Sequence, residues 1–119
     1  MTQKLKKRAA LIGGLYRRLC PSLKELEAGA EFTDEALLLL EGGPRFQMVD
    51  YYEVFWLAER SAFLKGGGRG RWRADFLWLI RPANMEKVLD ERYDTPLPAL
   101  ERKANRNMFR MYCESLEEE

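Results

Sequence analysis

Leu5, Ala9, Ile12, Tyr16, Leu19, Leu23 and Leu26 recur at alternating steps of four and three. That spacing lays one apolar stripe along an amphipathic helix. Lys6, Lys7, Arg17, Arg18 and Lys24 fall off the stripe. Gly13-Gly14 weakens the helix and Pro21 breaks or kinks it. Ser22 followed by Glu25 has the spacing of a capping box, which predicts a second short helix ending at Gly29. A third is expected over Thr33 to Gly42, with Thr33 or Asp34 as N-cap, acids in the first turn and Gly42 just past the end. Its four consecutive leucines predict burial on more than one side.

Residues 46–60 hold five of the 14 aromatic side chains. Phe46, Val49, Tyr52 or Glu53, Trp56 and Arg60 trace one helical row, and Met48, Tyr51, Phe55 and Ala58 another. This is a helix apolar over more than half its circumference, whose aromatic stripe reads as core. Lys65-Gly-Gly-Gly-Arg-Gly-Arg71 is a flexible basic loop, without the lysine–hydroxyl end of a Walker loop. Trp72, Phe76, Leu79 and Ile80 then share a helical face, a buried strand being the alternative for so short a run. Trp72 and Trp78 read as core. Arg81-Pro82 ends the piece, and Asn84 caps a further helix with Met85, Val88 and Leu89 inward and Lys87 and Asp90 outward. After a two-proline loop a last amphipathic stretch starts at Ala99, with Leu100, Ala104, Met108, Met111 and Ser115 on one row. The expectation is one small, mainly α-helical domain of about five or six short helices. Residues 1–94 form a helical module, and residues 95–119 a C-terminal helix with an acidic tail.

Composition narrows the chemistry. The 119 residues include no histidine, which removes Ser-His-Asp and Cys-His catalysis, histidine-ligated zinc and a histidine pH switch. Two cysteines, Cys20 and Cys113, make neither a disulfide framework nor a four-ligand metal site, and read as buried free thiols. The basic N-terminus is followed by Gly13, Gly14, Arg17 and Arg18, so no apolar signal core exists, and no stretch reaches membrane-spanning length. A cytoplasmic protein without membrane association is expected.

Charge is distributed in blocks. The formal total is +1, but residues 1–30 carry +5, residues 31–64 carry −5, residues 65–82 carry +4 and residues 83–119 carry −3. Near-neutrality is therefore silent about polyanion binding, and the second basic block coincides with the glycine loop.

Residues 61–94 resemble the C-terminal module of phage and prophage replication-initiation proteins. The stretch runs Ser61-Ala62-Phe63-Leu64-Lys65-Gly66, through the basic loop, into Gly70-Arg71-Trp72-Arg73-Ala74-Asp75-Phe76-Leu77-Trp78-Leu79-Ile80-Arg81-Pro82-Ala83-Asn84-Met85-Glu86-Lys87-Val88-Leu89, and ends at Tyr93-Asp94. The module's order is a "SPFLTG" segment, a Gly/Asn-rich loop, "W-x-A-D-F-D-W-L", "K-P-x-N-F", "x-K-[IV]-L" and "Y-D". Ala62, Leu77 and Met85 depart from it. The module usually follows a winged helix, whereas residues 1–60 lack the alternating strands of one. The resemblance implies a replicative helicase, its loader or another host protein as partner.

The candidate interface is basic and aromatic. Lys65, Arg69, Arg71 and Arg73 surround Trp72, with Arg81 and Lys87 following; Lys6, Lys7, Arg8, Arg17 and Arg18 extend the surface if the first helix lies nearby. Guanidinium forks suit phosphate oxygens and an indole face stacks a base. With what the resemblance implies, the expectation is a non-enzymatic phage or mobile-element protein, without cofactor, that binds DNA or a replication complex on DNA through the Lys65–Arg73 loop without reading base sequence. The alternative is a small inhibitor or regulator of a host system, for example an anti-defence protein acting by surface complementarity. A metal-dependent nuclease would need carboxylates such as Asp50, Glu53 or Asp75 to hold Mg²⁺. Asp50 and Glu53, three apart, read instead as a solvated acidic face.

Overall fold

The order of elements follows from the apolar rows. A computed structural model describes residues 3–42, 46–67, 72–90 and 99–117. Within them the chain forms α1 (Gln3–Leu19), a 3₁₀ turn (Ala30–Phe32), α2 (Asp34–Glu41), α3 (Met48–Arg60), a π-type turn (Phe63–Gly67), α4 (Phe76–Leu79), α5 (Pro82–Leu89) and α6 (Ala99–Glu117). No strand occurs among the described residues, so the domain is mainly α as the periodicity predicts. None of these helices is long and apolar enough to cross a membrane.

The aromatic helix α3 is the centre, with α1, α5 and α6 all packed on it. Tyr51, Val54, Phe55 and Ala58 have no exposed surface. From α1, Ala9, Ile12 and Tyr16 are buried against this core, as the stripe predicts. Tyr16 meets Phe55 and Phe76 edge-on, with ring centroids 5.5 and 5.4 Å away.

The helix expected after Pro21 does not form. Carbonyls of this irregular segment are met by side chains of α1: Tyr16 Oη donates to Lys24 O, Arg17 Nε to Leu26 O and Arg17 Nη2 to Glu27 O. Leu23 and Leu26 still reach the core from this irregular segment. Three other expectations change in detail. Leu38 of the leucine run is 68% exposed, and α2 is capped by Thr33 Oγ1, which accepts from Ala36 N at 3.2 Å. Helix α5 starts at Pro82, whose missing N–H costs nothing in the first turn, while Asn84 Nδ2 donates to Trp78 O. In α6 the inward row is Phe109 and Cys113, flanked by Tyr112 and Leu116, whereas Ala104, Met108, Met111 and Ser115 face outward.

Gly13 and Gly14 serve different ends. The Glu31 carboxylate lies on Gly13, where an added Cβ would stand 2.9 Å from Oε2 and 3.0 Å from the Glu31 Cβ. Glu31 is 5% exposed and accepts from Arg17 Nη1 and Nη2, both at 2.8 Å. Gly14 has open space around its Cα. Gly14→Ala should therefore stabilise by about 0.5–1 kcal/mol through helix propensity. Gly13→Ala should destabilise by about 1–2 kcal/mol, because it displaces a buried, doubly bonded carboxylate. Urea unfolding of the two variants checks the opposite signs.

The Arg17 hydrogen bonds hold the Glu31 carboxyl below its ordinary value. A depressed carboxyl contributes stability that is complete above the unfolded-state value near 4.5 and lost as pH falls through the folded-state value. With Arg17 open to solvent on one side, the contribution is about 1 kcal/mol at neutral pH. Denaturation midpoints of Glu31→Gln should lie below wild type at pH 7 and approach it as pH falls through the folded-state value.

Candidate nucleic-acid interface

The end of α3 and the turn that follows set the position of the basic residues. Ser61 Oγ accepts from Leu64 N, and the chain closes a π-type turn in which Gly66 has φ +99° and Gly67 N donates to Ala62 O at 2.8 Å. A Cβ on Gly67 would stand 2.7 Å from that same oxygen. These two glycines hold an ordered turn, whereas the sequence reading gave the whole loop as flexible. Lys65 sits in this turn, half-buried. Arg69 and Arg71, both predicted site residues, lie outside the described residues. Beyond them Ala74 N donates to Leu64 O at 2.9 Å, which ties the returning chain to the turn.

Trp72 is 40% exposed and lies outside α4, which is only one turn long and capped by Asp75 Oδ1 accepting from Trp78 N. Its ring leans on Phe63, itself 45% exposed, at 5.8 Å, and edge-on against Trp78 at 5.1 Å. The expectation that Trp72 is core is corrected: the cap on Asp75 keeps residues 72–75 non-helical, and the indole rides over Phe63 and Trp78 at the surface. Trp78 itself is half-buried.

A groove of about 580 Å³ is lined by Arg18, Leu19, Pro21, Trp56, Glu59, Arg60 and Lys65. The Arg60 guanidinium lies 3.9 Å over the Trp56 ring and that of Arg18 lies 5.7 Å from the Tyr112 ring. Neither these two nor Lys65 is paired with a carboxylate among the described residues. The groove's one acid, Glu59, is turned to the backbone, accepting from Ser22 N at 3.0 Å. Arg73 reaches the other side of the same corner, with Nη1 3.5 Å from Ser22 O. Four cations thus ring the Pro21–Ser22 corner. A second pocket, of about 290 Å³, holds Trp72, Arg73, Trp78 and Arg81 with Glu35 and Asp75. There Arg81 is paired with Glu35 at 3.3 Å on an open surface.

Fold and interface share out the remaining predicted residues. Arg17 is turned to Glu31 and two carbonyls, and Arg8 donates to Phe46 O at 2.7 Å with its guanidinium over the Tyr51 ring. Lys6 and Lys7 are exposed on α1, about 17 Å along the helix axis from Arg18. Lys87 is exposed at the end of α5 and lines neither pocket. Arg60 and Trp56 were missed by sequence reasoning, which assigned their helix to the core. The signal available was an arginine four residues after a tryptophan, in the last turn before the basic loop.

The acidic pair also departs from expectation. Asp50 and Glu53 do not form a solvated face: Arg106 of α6 donates to Asp50 Oδ1 at 2.6 Å and to Glu53 Oε2 at 2.5 Å. No group of three or more Cys, Asp or Glu is arranged to hold a metal among the described residues. Burial pushes both thiols up, that of Cys113 to about 11, and Cys20 Sγ donates to Phe55 O at 3.3 Å. Thiolate is the nucleophilic form, so neither sulfur is activated.

No known family model matches the chain, and neither the curated proteins nor the solved structures contain a significant match. The aromatic surface can be tested on its own terms. Trp72→Ala should cost less than about 1.5 kcal/mol, because much of the ring is already wet, whereas Phe55→Ala should cost about 3–5 kcal/mol. Chemical denaturation of both variants reads the difference.

Proposed function

We propose that the chain is a non-enzymatic mobile-element protein that holds the phosphodiester backbone of DNA, alone or within a replication complex, without reading base sequence. The observation that carries this reading is the ring of Arg18, Arg60, Lys65 and Arg73 around the Pro21–Ser22 corner, next to exposed Trp72 and Phe63. A corner ringed by four cations, with its one carboxylate, Glu59, bonded to Ser22 N, attracts a polyanion. The Arg60 and Arg18 guanidinium groups lie over the Trp56 and Tyr112 rings, which leaves their charge available to phosphate oxygens. The Trp72–Phe63 surface beside them offers a ring face to an unstacked base. The likeness of residues 61–94 to the replication-initiation module supports the same reading and makes a helicase or its loader the expected protein partner.

Fluorescence anisotropy with a labelled single-stranded oligonucleotide tests it. Arg18→Ala/Arg60→Ala/Lys65→Ala should weaken binding at least about tenfold and flatten the slope of log K against log salt by about two. Arg69→Ala/Arg71→Ala/Arg73→Ala should act in the same direction. Lys6→Ala/Lys7→Ala, remote from the groove, should change affinity less than about threefold. Wild type that binds neither single- nor double-stranded DNA at about 50 mM salt overturns the proposal.

A further inference from the structure

Helix α6 carries apolar residues on two faces, and only one of them is used by the domain. Phe109 and Cys113 are buried towards α3, and Arg106 reaches Asp50 and Glu53 from the same side. On the opposite side stand Ala104, Met108, Met111 and Ser115, all exposed, with Met108 at 61% and Met111 at 71%. Their spacing of four, three and four is that of a coiled-coil seam, and it runs straight along the helix. Methionine is large and adaptable, and the small residues at the two ends let a second helix approach closely.

The charges beside this seam are arranged unevenly. Lys103 and Glu114 are both exposed and stand eleven residues apart. Eleven residues make almost whole turns, so the two project on the same side of the seam, about 16 Å apart along the axis. A second α6 laid parallel would carry its Lys103 and Glu114 on the far side of the pair, where they meet neither residue of the first copy. Laid antiparallel, about a two-fold axis between Met108 and Met111, it puts Lys103 of each copy beside Glu114 of the other. The same register sets Met108 against Met111 and Ala104 against Ser115. The face is thus complementary to itself in one orientation, and that orientation closes with two-fold symmetry.

We propose that the outer face of α6 is a homodimer contact, formed by antiparallel pairing with a second copy of this chain. One helix face with two methionines is a small interface, so the dimer is weak and dependent on concentration. Sedimentation equilibrium of the full chain should give a mass that rises from 14.0 kDa towards twice that value between about 10 µM and 1 mM. Met108→Glu/Met111→Glu should remain monomeric across that range. Circular dichroism and the urea midpoint should not change, because neither side chain packs in the domain.

Orientation is read by charge reversal. Lys103→Glu alone and Glu114→Lys alone should each weaken self-association about tenfold, since two attractive pairs become repulsive. Mixed in equal amounts the two variants should associate with each other, because each reversed charge then meets its opposite. Any of three results overturns the proposal: a wild-type mass that stays at 14.0 kDa up to about 1 mM, a dimer that survives Met108→Glu/Met111→Glu, or reversed variants that fail to recover on mixing.

Discussion

A helix enclosed by its neighbours can carry charge only where each charge is met, and α3 obeys this through Arg106. Asp50 and Glu53 point from the aromatic helix towards α6, and Glu53 is only 9% exposed. One guanidinium closes on both carboxylates, and the second oxygen of Asp50 accepts from Gln47 N at 2.7 Å, which starts the helix. The same contact fixes which side of α6 faces inward. With Arg106 seated, Phe109 lies 4.6 Å from Tyr52 and 5.4 Å from Trp56, and Cys113 follows into the core. An unpaired carboxylate there would carry a large desolvation cost, so the ion fork acts as a register device as well as a link.

Element positions were legible because periodicity survives folding. The stripe of α1, the two rows of α3 and the extent of α6 all follow from spacing, and the mainly helical class follows from them. What spacing could not decide was choice between equivalents. Helix α6 has two candidate apolar rows, and the methionine row reads as well as the phenylalanine row until Asp50 and Glu53 select Arg106. The absent helix after Pro21 has the same character: its capping residues are present, but the segment is irregular and Tyr16 and Arg17 meet its carbonyls from outside it. Trp72 looked like core because it stands in an apolar run, and a single local bond, Trp78 N to Asp75, moves it to the surface.

The candidate interface was half legible for a similar reason. Block charges located Lys65 and Arg73 but could not tell which basic residues of α1 would join them. Arg17 and Arg18 are neighbours in sequence and point to different ends: Arg17 to a buried carboxylate, Arg18 to the groove. Helical geometry separates them by about 100° of rotation, enough for one to serve the fold and the other the surface. Arg60 escaped because its helix reads as core everywhere except at its last turn.

The two kinds of arginine are distinguished by what they rest on. Arg17 and Arg106 spend their N–H donors on carboxylates, in the plane of the guanidinium, so little remains to offer a ligand. Arg18 and Arg60 rest on the ring faces of Tyr112 and Trp56. Ring contact does not fix how the donors are used: Arg8, over Tyr51, spends one on Phe46 O, whereas Arg18 and Arg60 have no carboxylate partner among the described residues. Stacking therefore positions charge without neutralising it. One residue type can thus supply both internal ion pairs and an unneutralised basic surface, provided that rings rather than carboxylates hold the surface cations.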